Sequence, residues 1–297
     1  MNIRTGAILS VLMVQILYGL NYTFAKDVMS GGYIAPYGFI LLRVAGATLL
    51  FWLFSWLGPK EKIDKRDYLK FFVAAIFGVA INMLLFFKGL EFTSPIHASV
   101  IVTLTPILVM VMSAIFLKEK ITALKLLGVV FGFAGAVVLT VYGKSTRVAD
   151  DVSLGNSFVF INVVSYSIYI ILIKKLTQKY HPFTFIKWLF LFGLVLVVPF
   201  GYNDVMATNF NSFTPYITFS VLFVIVGATF GTYLLNPLAL RHLKATTVTI
   251  FIYVQPVIAG LFAIIMGSDS LGIIKIIASA LIFTGVYLVT KRPKVPA

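Results

Sequence analysis

Long apolar runs alternate with short polar segments along the whole chain. A membrane-spanning helix needs about 20 mostly apolar residues. Ten runs meet this requirement: 6–29, 36–57, 69–89, 95–117, 122–142, 155–177, 183–201, 214–236, 245–266 and 272–290. The connectors between them are too short to fold as soluble domains. The pattern therefore predicts an all-α integral membrane protein with ten transmembrane helices.

The composition agrees with this pattern. Of the 297 residues, 60% are hydrophobic and 11% are charged, whereas a soluble globular protein carries about 25% charged residues. The chain has no cysteine, which excludes disulfides, thiolate metal sites and cysteine nucleophiles. The first apolar run continues past residue 25 without a small-residue cleavage site, so we interpret it as a retained span rather than a signal peptide.

The basic residues indicate how the spans are oriented. If the N-terminus is cytoplasmic, five of the 24 Lys and Arg residues face outward: Lys26, Lys88, Lys144, Arg147 and Lys275. Arg43 lies within the second span, and the other 18 face the cytoplasm. An excess of Lys and Arg in cytoplasmic loops is the usual orientation signal, so the net charge of +14 does not require a nucleic-acid partner. We expect a multi-pass protein of the bacterial inner or plasma membrane with both termini cytoplasmic.

One rhythm occurs twice in the chain, as TLTPILVMVMSAIFLKEK at 103–120 and as YVQPVIAGLFAIIMGSDS at 253–270. An offset of 150 residues aligns the two segments without a gap. A proline, an acid and a late glycine stay in register: Pro106 with Pro256, Glu119 with Asp269, and Gly135 with Gly285. We interpret the match as an internal repeat that divides the chain into two five-helix units, 1–145 and 151–297.

The two repeats are predicted to have opposite orientations in the membrane. Each holds five spans, and an odd number places the second repeat upside down relative to the first. The lysine-rich corner LKEK then faces the cytoplasm, and its counterpart GSDS, which has no basic residue, faces outward. Inverted repeats around a site near the membrane midplane are a common arrangement in secondary transporters.

Four stretches resemble the drug/metabolite transporter superfamily, specifically a ten-span EamA-type permease. LYGLNYTFAK at 17–26 is similar to the family's W-G-x-N-[FW] motif, with Tyr18 in place of the usual Trp. PYGFILLRVAGATLL at 36–50 resembles its second span, and the segments 87–139 and 235–288 are two copies of its third-to-fifth-span block. The second copy has Asp269 in place of Glu and Ala278 where the first has Gly128, changes that keep the charge and the small size.

The resemblance implies a central cavity between the halves, lined mainly by spans 1, 3, 4, 6, 8 and 9, and export of amino acids or related metabolites. Polar side chains inside spans are candidates for its lining, because they are costly in lipid and usually face the bundle or a cavity. The candidates for substrate binding are Gln15, Tyr18, Asn21, Asn82, Thr103, Tyr166, Tyr169, Thr232, Tyr233, Asn236, Tyr253 and Gln255. Thr105, Asn162 and Thr249 are further polar residues within spans. Each could instead form a hydrogen bond between helices, worth about 0.6 kcal/mol in membranes.

No Asp or Glu lies in the middle of a span, since Asp27, Glu91, Glu119 and Asp269 all lie at span ends. A deep carboxylate is a usual proton carrier and cation site. Its absence disfavours that mechanism and a strongly cationic substrate. A neutral, zwitterionic or moderately anionic solute fits the candidate cavity better.

Four further residues are candidates for charge recognition or gating. Arg43 could form a structural pair with Asp27 or Glu91, which is the first interpretation, or contact a substrate carboxylate, which is the second. His97 could relay protons, although a lone histidine more often serves packing. Pro106 and Pro256 free carbonyls one turn earlier and act either as static kinks or as paired hinges.

The sequence favours a secondary transporter that moves amino acids or related amphipathic solutes outward by alternating access. The alternatives are uptake or exchange of sugars, nucleotide sugars or organic anions by the same fold, or a non-transporting membrane scaffold. An enzyme is disfavoured because the three histidines lie far apart without metal spacing, so we expect no catalytic residues, metal or cofactor. The expected partners are a small-molecule solute and the lipid bilayer, but no nucleic acid, and the protein is expected to be a monomer or loose dimer.

Overall fold

The structure, a computed structural model, describes residues 2–93, 95–141, 152–265 and 272–291, and within these ranges every regular element is a helix. Eight of these helices are long and apolar enough to cross a membrane: Ile3–Ser30, Pro36–Leu53, Asp67–Leu90, Ser153–Lys179, Pro182–Met206, Pro215–His242, Ala245–Phe262 and Ile273–Thr290. Two further apolar helices are shorter, Val100–Phe116 and Ala123–Val138. The predicted all-α class is confirmed, and the predicted number of ten spans stays a prediction.

The helical segments are numbered in chain order. They are α1 (Ile3–Ser30), α2 (Pro36–Leu53), α3 (Asp67–Ala75), α4 (Ile81–Phe92), α5 (Pro95–Val102), α6 (Thr105–Phe116), α7 (Ala123–Val141), α8 (Val152–Lys179), α9 (Pro182–Met206), α10 (Pro215–Phe223), α11 (Thr232–His242), α12 (Ala245–Thr249), α13 (Gln255–Ile265) and α14 (Ile273–Thr290). Two π-helical stretches, Ile76–Ala80 and Val224–Gly231, join α3 to α4 and α10 to α11. The 3₁₀ stretch Ile250–Val254 joins α12 to α13.

Two segments predicted as continuous spans, 95–117 and 245–266, are interrupted shortly before their prolines. The first contains a turn between α5 and α6, and the second contains the 3₁₀ stretch. Proline cannot donate a backbone hydrogen bond, so a carbonyl one turn earlier loses its helical partner. The Val102 carbonyl instead accepts a hydrogen bond from Thr105 Oγ1 at 2.7 Å, and the Ile252 carbonyl accepts one from the Gln255 backbone N–H. Both freed carbonyls are therefore satisfied locally, and the role of the prolines as hinges stays a prediction.

Several helix ends differ from the predicted spans. The span predicted at 36–57 ends as an α-helix at Leu53 and continues as a 3₁₀ turn, Ser55–Leu57. The span predicted at 214–236 continues to His242, with Arg241 and His242 in its last turn. Basic side chains in a last turn interact favourably with the helix dipole, so a helix can extend beyond its apolar run.

Hydrogen bonds between helices lie at both ends of the bundle, the termini end and the far end. At the termini end, Arg4 near the N-terminus donates from Nη2 to the Thr290 carbonyl near the C-terminus at 2.6 Å. At the far end, the Tyr216 hydroxyl donates to Asp27 Oδ2 at 2.6 Å. The start of α1 and the end of α14 therefore lie at the same end, as expected for an even number of crossings.

The helices α7 and α14 pack against each other through glycines. A Cβ atom added to Gly128 would lie 2.7 Å from the Gly285 carbonyl oxygen, and one added to Gly285 would lie 2.5 Å from the Gly128 carbonyl oxygen. Such close backbone approach is typical of helix pairs in membranes. Gly128 and Gly285 therefore allow α7 and α14 to approach at backbone distance.

Candidate functional site

A cavity of about 170 Å³ lies inside the helix bundle. Seven of the predicted substrate-binding candidates line it: Gln15, Tyr18, Asn21, Asn82, Tyr166, Asn236 and Gln255. Arg43 enters it from α2. Three polar residues outside the predicted set also line it, Thr105, Asn162 and Thr249, and its apolar wall consists of Met83, Phe86, Phe87, Val102, Val248 and Ile252. Both predicted repeats contribute side chains, so the cavity lies at their junction.

Two polar contacts hold opposite walls of the cavity together. Gln255 Nε2 donates to Gln15 Oε1 at 2.7 Å, which joins α13 to α1. Asn162 Nδ2 donates to the Asn82 backbone carbonyl at 2.6 Å, which joins α8 to α4. The two glutamine amides pair with each other and the Asn162 amide pairs with backbone, as buried polar groups require, and both contacts fix the shape of the wall.

Arg43 does not form its predicted pair with Asp27. Its Nε donates to Thr229 Oγ1 at 3.0 Å, whereas Asp27 accepts its hydrogen bond from Tyr216. The side chain of Glu91, the other predicted partner, lies outside the described residues. Thr229 is in turn held by the π-helical stretch, where its hydroxyl donates to the Val224 carbonyl at 2.7 Å. The stretch therefore fixes the one hydrogen bond that Arg43 forms with the described part of the chain.

Two amide oxygens beside the cavity have no hydrogen-bond partner in the described part of the chain. They are Asn21 Oδ1 on α1 and Asn236 Oδ1 on α11, and both atoms are buried. The Asn236 side chain is only 5% exposed. Buried amide oxygens are usually paired, so these two are available to a ligand.

Five predicted substrate-binding candidates do not line the cavity. Thr103 and Thr232 donate their hydroxyls to carbonyls of their own helical turns, Val100 at 2.6 Å and Ala228 at 2.8 Å. Threonine can bond in this way because its hydroxyl reaches the preceding turn. The backbone thus takes up the polarity that had suggested a binding role.

The other three candidates outside the cavity are tyrosines in the packed core. The Tyr233 hydroxyl donates to the Gly78 carbonyl in the first π-helical stretch at 2.7 Å. The Tyr169 ring packs on Gly78 and Tyr253 packs on Gly132, where a Cβ would lie 2.2 Å and 2.3 Å from the respective ring. The large tyrosine rings fill the space that the glycines leave, which explains why these tyrosines are buried.

The remaining gating candidates lie elsewhere or are not described. Pro106 and Pro256 stand in the first turns of α6 and α13 and are not among the lining residues. The side chain of His97 lies outside the described residues. Sequence reasoning missed Thr229, although it is a polar residue inside the span predicted at 214–236, and the same criterion of intramembrane polarity would have included it.

A Tyr233→Phe variant is expected to unfold at a lower temperature than the wild type. The change leaves the buried Gly78 carbonyl without its partner, which costs about 1–3 kcal/mol. The matched control is Tyr166→Phe, because Tyr166 lines the cavity and its hydroxyl forms no hydrogen bond within the described structure. Thermal melting of the purified proteins in detergent measures both, and equal melting temperatures for the two variants would contradict the role given to Tyr233.

Three acids cap the N-termini of helices to which they do not belong. The contacts are Asp204 Oδ2 with the Gly38 N–H at 3.1 Å, Glu61 Oε2 with the His181 N–H at 2.8 Å, and Glu119 Oε1 with the Ala245 N–H at 2.9 Å. A helix N-terminus has unsatisfied N–H groups and a partial positive charge, so a carboxylate stabilises it. The scarce acids of this chain therefore join separate segments at the ends of the bundle.

An all-helical bundle with many membrane-length helices around a small polar cavity defines a polytopic membrane protein built like a transporter. The chain belongs to the EamA-like transporter family, whose model matches residues 5–141 and again residues 153–291. It is thus a multi-pass membrane transporter of the drug/metabolite transporter superfamily rather than an enzyme. The resemblance found in the sequence is confirmed.

Similar proteins extend over almost the whole chain. A protein of Archaeoglobus fulgidus is 28% identical over 277 residues, which cover 93% of this chain and 95% of that protein. YyaM of Bacillus subtilis is 22% identical over 289 residues, covering 96% and 94%. Both are named as uncharacterized transporters. One crystal structure has the same fold, with a TM-score of 0.77 over 97% of this chain and 98% of that one, at 18% identity.

Proposed function

We propose that this transporter exports amino acids or related small amphipathic solutes across the bacterial plasma membrane by alternating access. Ten spans, arranged as two inverted five-helix repeats with both termini cytoplasmic, provide the two halves that exchange states. A small solute and the bilayer are its partners, and it functions as a monomer or loose dimer. The observation that carries the proposal is the cavity, which receives polar side chains from both halves and is small enough for a single metabolite.

The two halves have corresponding irregularities, which supports the repeat. The π-helical stretches Ile76–Ala80 and Val224–Gly231 overlap when shifted by the same 150 residues that align the sequence rhythm. The interruptions before Pro106 and Pro256 correspond under the same shift. Unwound segments near the midplane are typical of transporters, because they place backbone and side-chain polar groups beside the substrate.

One observation favours an alternative within transport, the movement of organic anions. Arg43 is charged, lines the cavity and has no carboxylate partner among the described residues. A purely neutral solute would leave this guanidinium without a counter-ion. A scaffold without transport predicts no solute flux, and the same experiment distinguishes it.

Flux into proteoliposomes tests the proposal. Purified protein is reconstituted, and the uptake and counterflow of radiolabelled amino acids, hydroxy acids and neutral metabolites are measured with and without a pH gradient. We expect flux of at least one carboxylate-bearing solute above that of protein-free liposomes. The control is Ile252→Trp, which enlarges a lining side chain and should block a cavity of this size. Absence of flux for every solute, from protein that elutes as a single folded species, would contradict the proposal.

A further inference from the structure

Arg43 is the charged residue among the described residues that line the cavity. Its side chain is 6% exposed, and its hydrogen bond to Thr229 uses Nε only. The four Nη hydrogens are left without a protein acceptor in the described structure. A buried charge without a counter-ion costs several kcal/mol. An anion in the cavity removes that cost, and the planar fork of the guanidinium matches a carboxylate.

The two unpaired amide oxygens specify a second feature of the ligand. Asn21 Oδ1 and Asn236 Oδ1 are buried acceptors without donors, and both residues line the same cavity as Arg43. Leaving a buried acceptor unpaired costs about 1–3 kcal/mol. A ligand that carries a hydroxyl or an ammonium group supplies the missing donor. By contrast, the glutamines of the cavity already pair with each other.

The size and the apolar wall specify the rest of the ligand. A volume of about 170 Å³ is well below the range of about 300–1,000 Å³ that is usual for drug-sized ligands. Met83, Phe86 and Phe87 form an apolar wall on α4, and Ile252 adds to it. This volume and this surface suit a solute with a short hydrocarbon body better than they suit a nucleotide sugar.

We infer that the cavity binds a small organic acid in a fixed orientation, with its carboxylate on Arg43 and a hydroxyl or ammonium donor on Asn236 and Asn21. The apolar body lies against the α4 wall. The inference rests on the proposed function, because it names the chemical class of the solute at the transport site. Arg43 determines the requirement for a carboxylate, and Asn236 determines the preference for a donor group.

Four solutes that share the same hydrocarbon body distinguish the requirement for a carboxylate from the preference for a donor group. Leucine and α-hydroxyisocaproate have a carboxylate and a donor, isocaproate has the carboxylate alone, and leucinamide has the donor without the carboxylate. Binding to the purified full-length protein is measured by isothermal titration calorimetry, together with shorter straight-chain analogues of each type. We expect the wild type to bind leucine and α-hydroxyisocaproate most tightly, and leucinamide at least about ten-fold more weakly.

An Arg43→Gln variant should lose affinity for the carboxylates selectively. A hydrogen bond to a charged group contributes about 1.5–3 kcal/mol, so we expect a loss of about 10- to 100-fold for α-hydroxyisocaproate and a change of less than about two-fold for leucinamide. Arg43→Lys keeps the charge without the fork, and we expect an intermediate loss. An Asn236→Leu variant should bind α-hydroxyisocaproate no better than isocaproate.

The control is Thr48→Ala. Thr48 lies on α2, as Arg43 does, and the change removes its buried hydrogen bonds to the Val44 and Phe190 carbonyls. Thr48 does not line the cavity, so the affinity ratios among the four solutes should stay those of the wild type. If Arg43→Gln does not fold, Arg43→Lys and the solute series on the wild type still test the inference.

Parallel flux measurements distinguish failure of this inference from failure of the proposed function. Flux without a preference for carboxylates, or an Arg43→Gln variant with unchanged ratios, overturns the inference and leaves transport in place. Carboxylate binding that depends on Arg43 but is never followed by flux supports the site and overturns the proposed transport. If the wild type binds none of the solutes, the inference is overturned.

Discussion

A Gly128→Leu variant is expected to lose the packing of α7 against α14 and to be recovered mainly as aggregated protein. A Cβ at this position would lie 2.7 Å from the Gly285 carbonyl oxygen and 2.8 Å from the Val289 side chain. The first neighbour is backbone, so relief requires the two helices to separate. Overpacking of this kind costs about 1–3 kcal/mol and occasionally more, and the contact with backbone places this variant at the upper end. Size-exclusion chromatography of detergent extracts and thermal melting measure the loss.

Two further glycine variants test this explanation. In Gly285→Leu the Cβ would lie 2.5 Å from the Gly128 carbonyl oxygen, so the same defect is expected from the other helix. Among the described residues, no atom apart from the adjoining backbone of α13 lies within 4 Å of such a Cβ at Gly260. Gly260→Ala should therefore keep the melting temperature or raise it. Alanine lowers the conformational entropy of the unfolded chain, which stabilises the folded protein by about 0.4–1 kcal/mol. A normal yield and melting temperature for Gly128→Leu would show that the contact does not hold the helices together.

Among the predicted site residues, amide and guanidinium side chains reach the cavity more consistently than hydroxyl side chains do. Every amide or guanidinium candidate lines it: Gln15, Asn21, Arg43, Asn82, Asn236 and Gln255. Of the seven hydroxyl candidates, only Tyr18 and Tyr166 do so. Hydroxyls of serine and threonine can bond to the preceding helical turn, whereas an amide or guanidinium has more polar atoms than the turn can satisfy. Intramembrane amides and arginines are therefore the better sequence signal for a cavity.

The helical class of the chain follows from hydropathy, but the irregular segments do not. Apolar runs determine where a helix can cross lipid, since backbone polar groups must be satisfied internally. The π-helical stretch Val224–Gly231 depends on which neighbour its side chains meet. There Thr229 donates five residues back to Val224 and accepts from Arg43. A hydrogen bond to another helix produces no periodic pattern of residues in the sequence, so only the three-dimensional structure reveals it.

Glu119 is one of the carboxylates that join the two predicted repeats. Its Oε1 accepts from the Ala245 N–H at 2.9 Å and its Oε2 from Thr246 Oγ1 at 3.1 Å. Lys125 Nζ lies 3.7 Å from the same carboxylate. The corner after α6 is thereby fixed to the start of α12, whose residue Val248 lines the cavity.

An unusual backbone turn aims Glu119 at this partner. Lys118 has a φ of 54°, a left-handed conformation that is uncommon outside glycine. The turn lets the Glu119 N–H reach the Ser113 carbonyl at 3.1 Å. A strained residue costs about 1–3 kcal/mol and persists only where the surrounding structure stabilises it. The contacts of the Glu119 carboxylate supply that stabilisation, so the turn and the cap depend on each other.

In a Glu119→Gln variant, the state in which the cavity is open toward the termini end is expected to be more populated. Under the proposed alternating access, we expect this contact to break when the cavity opens toward the termini. The amide keeps one acceptor oxygen but loses the charge that favours the helix N-terminus, a loss of about 1–2 kcal/mol. The open population should then rise about 5- to 30-fold. Because the chain has no cysteine, an Ile252→Cys background allows the labelling rate to be measured with an impermeant maleimide applied from the termini side.

Control variants at two other acids distinguish the loss of this helix cap from the loss of a negative charge alone. Asp64 lies at the same end, but its side chain is 66% exposed, and exposed pairs contribute about 0–1 kcal/mol. Asp64→Asn should therefore leave the labelling rate unchanged. The repeat alignment places Asp269, which lies outside the described residues, opposite Glu119, and Pro95 opposite Ala245. Since proline has no N–H to cap, Asp269→Asn should have little effect on the labelling rate. Equal acceleration by all three variants would show that surface charge, rather than the bond to α12, controls the opening.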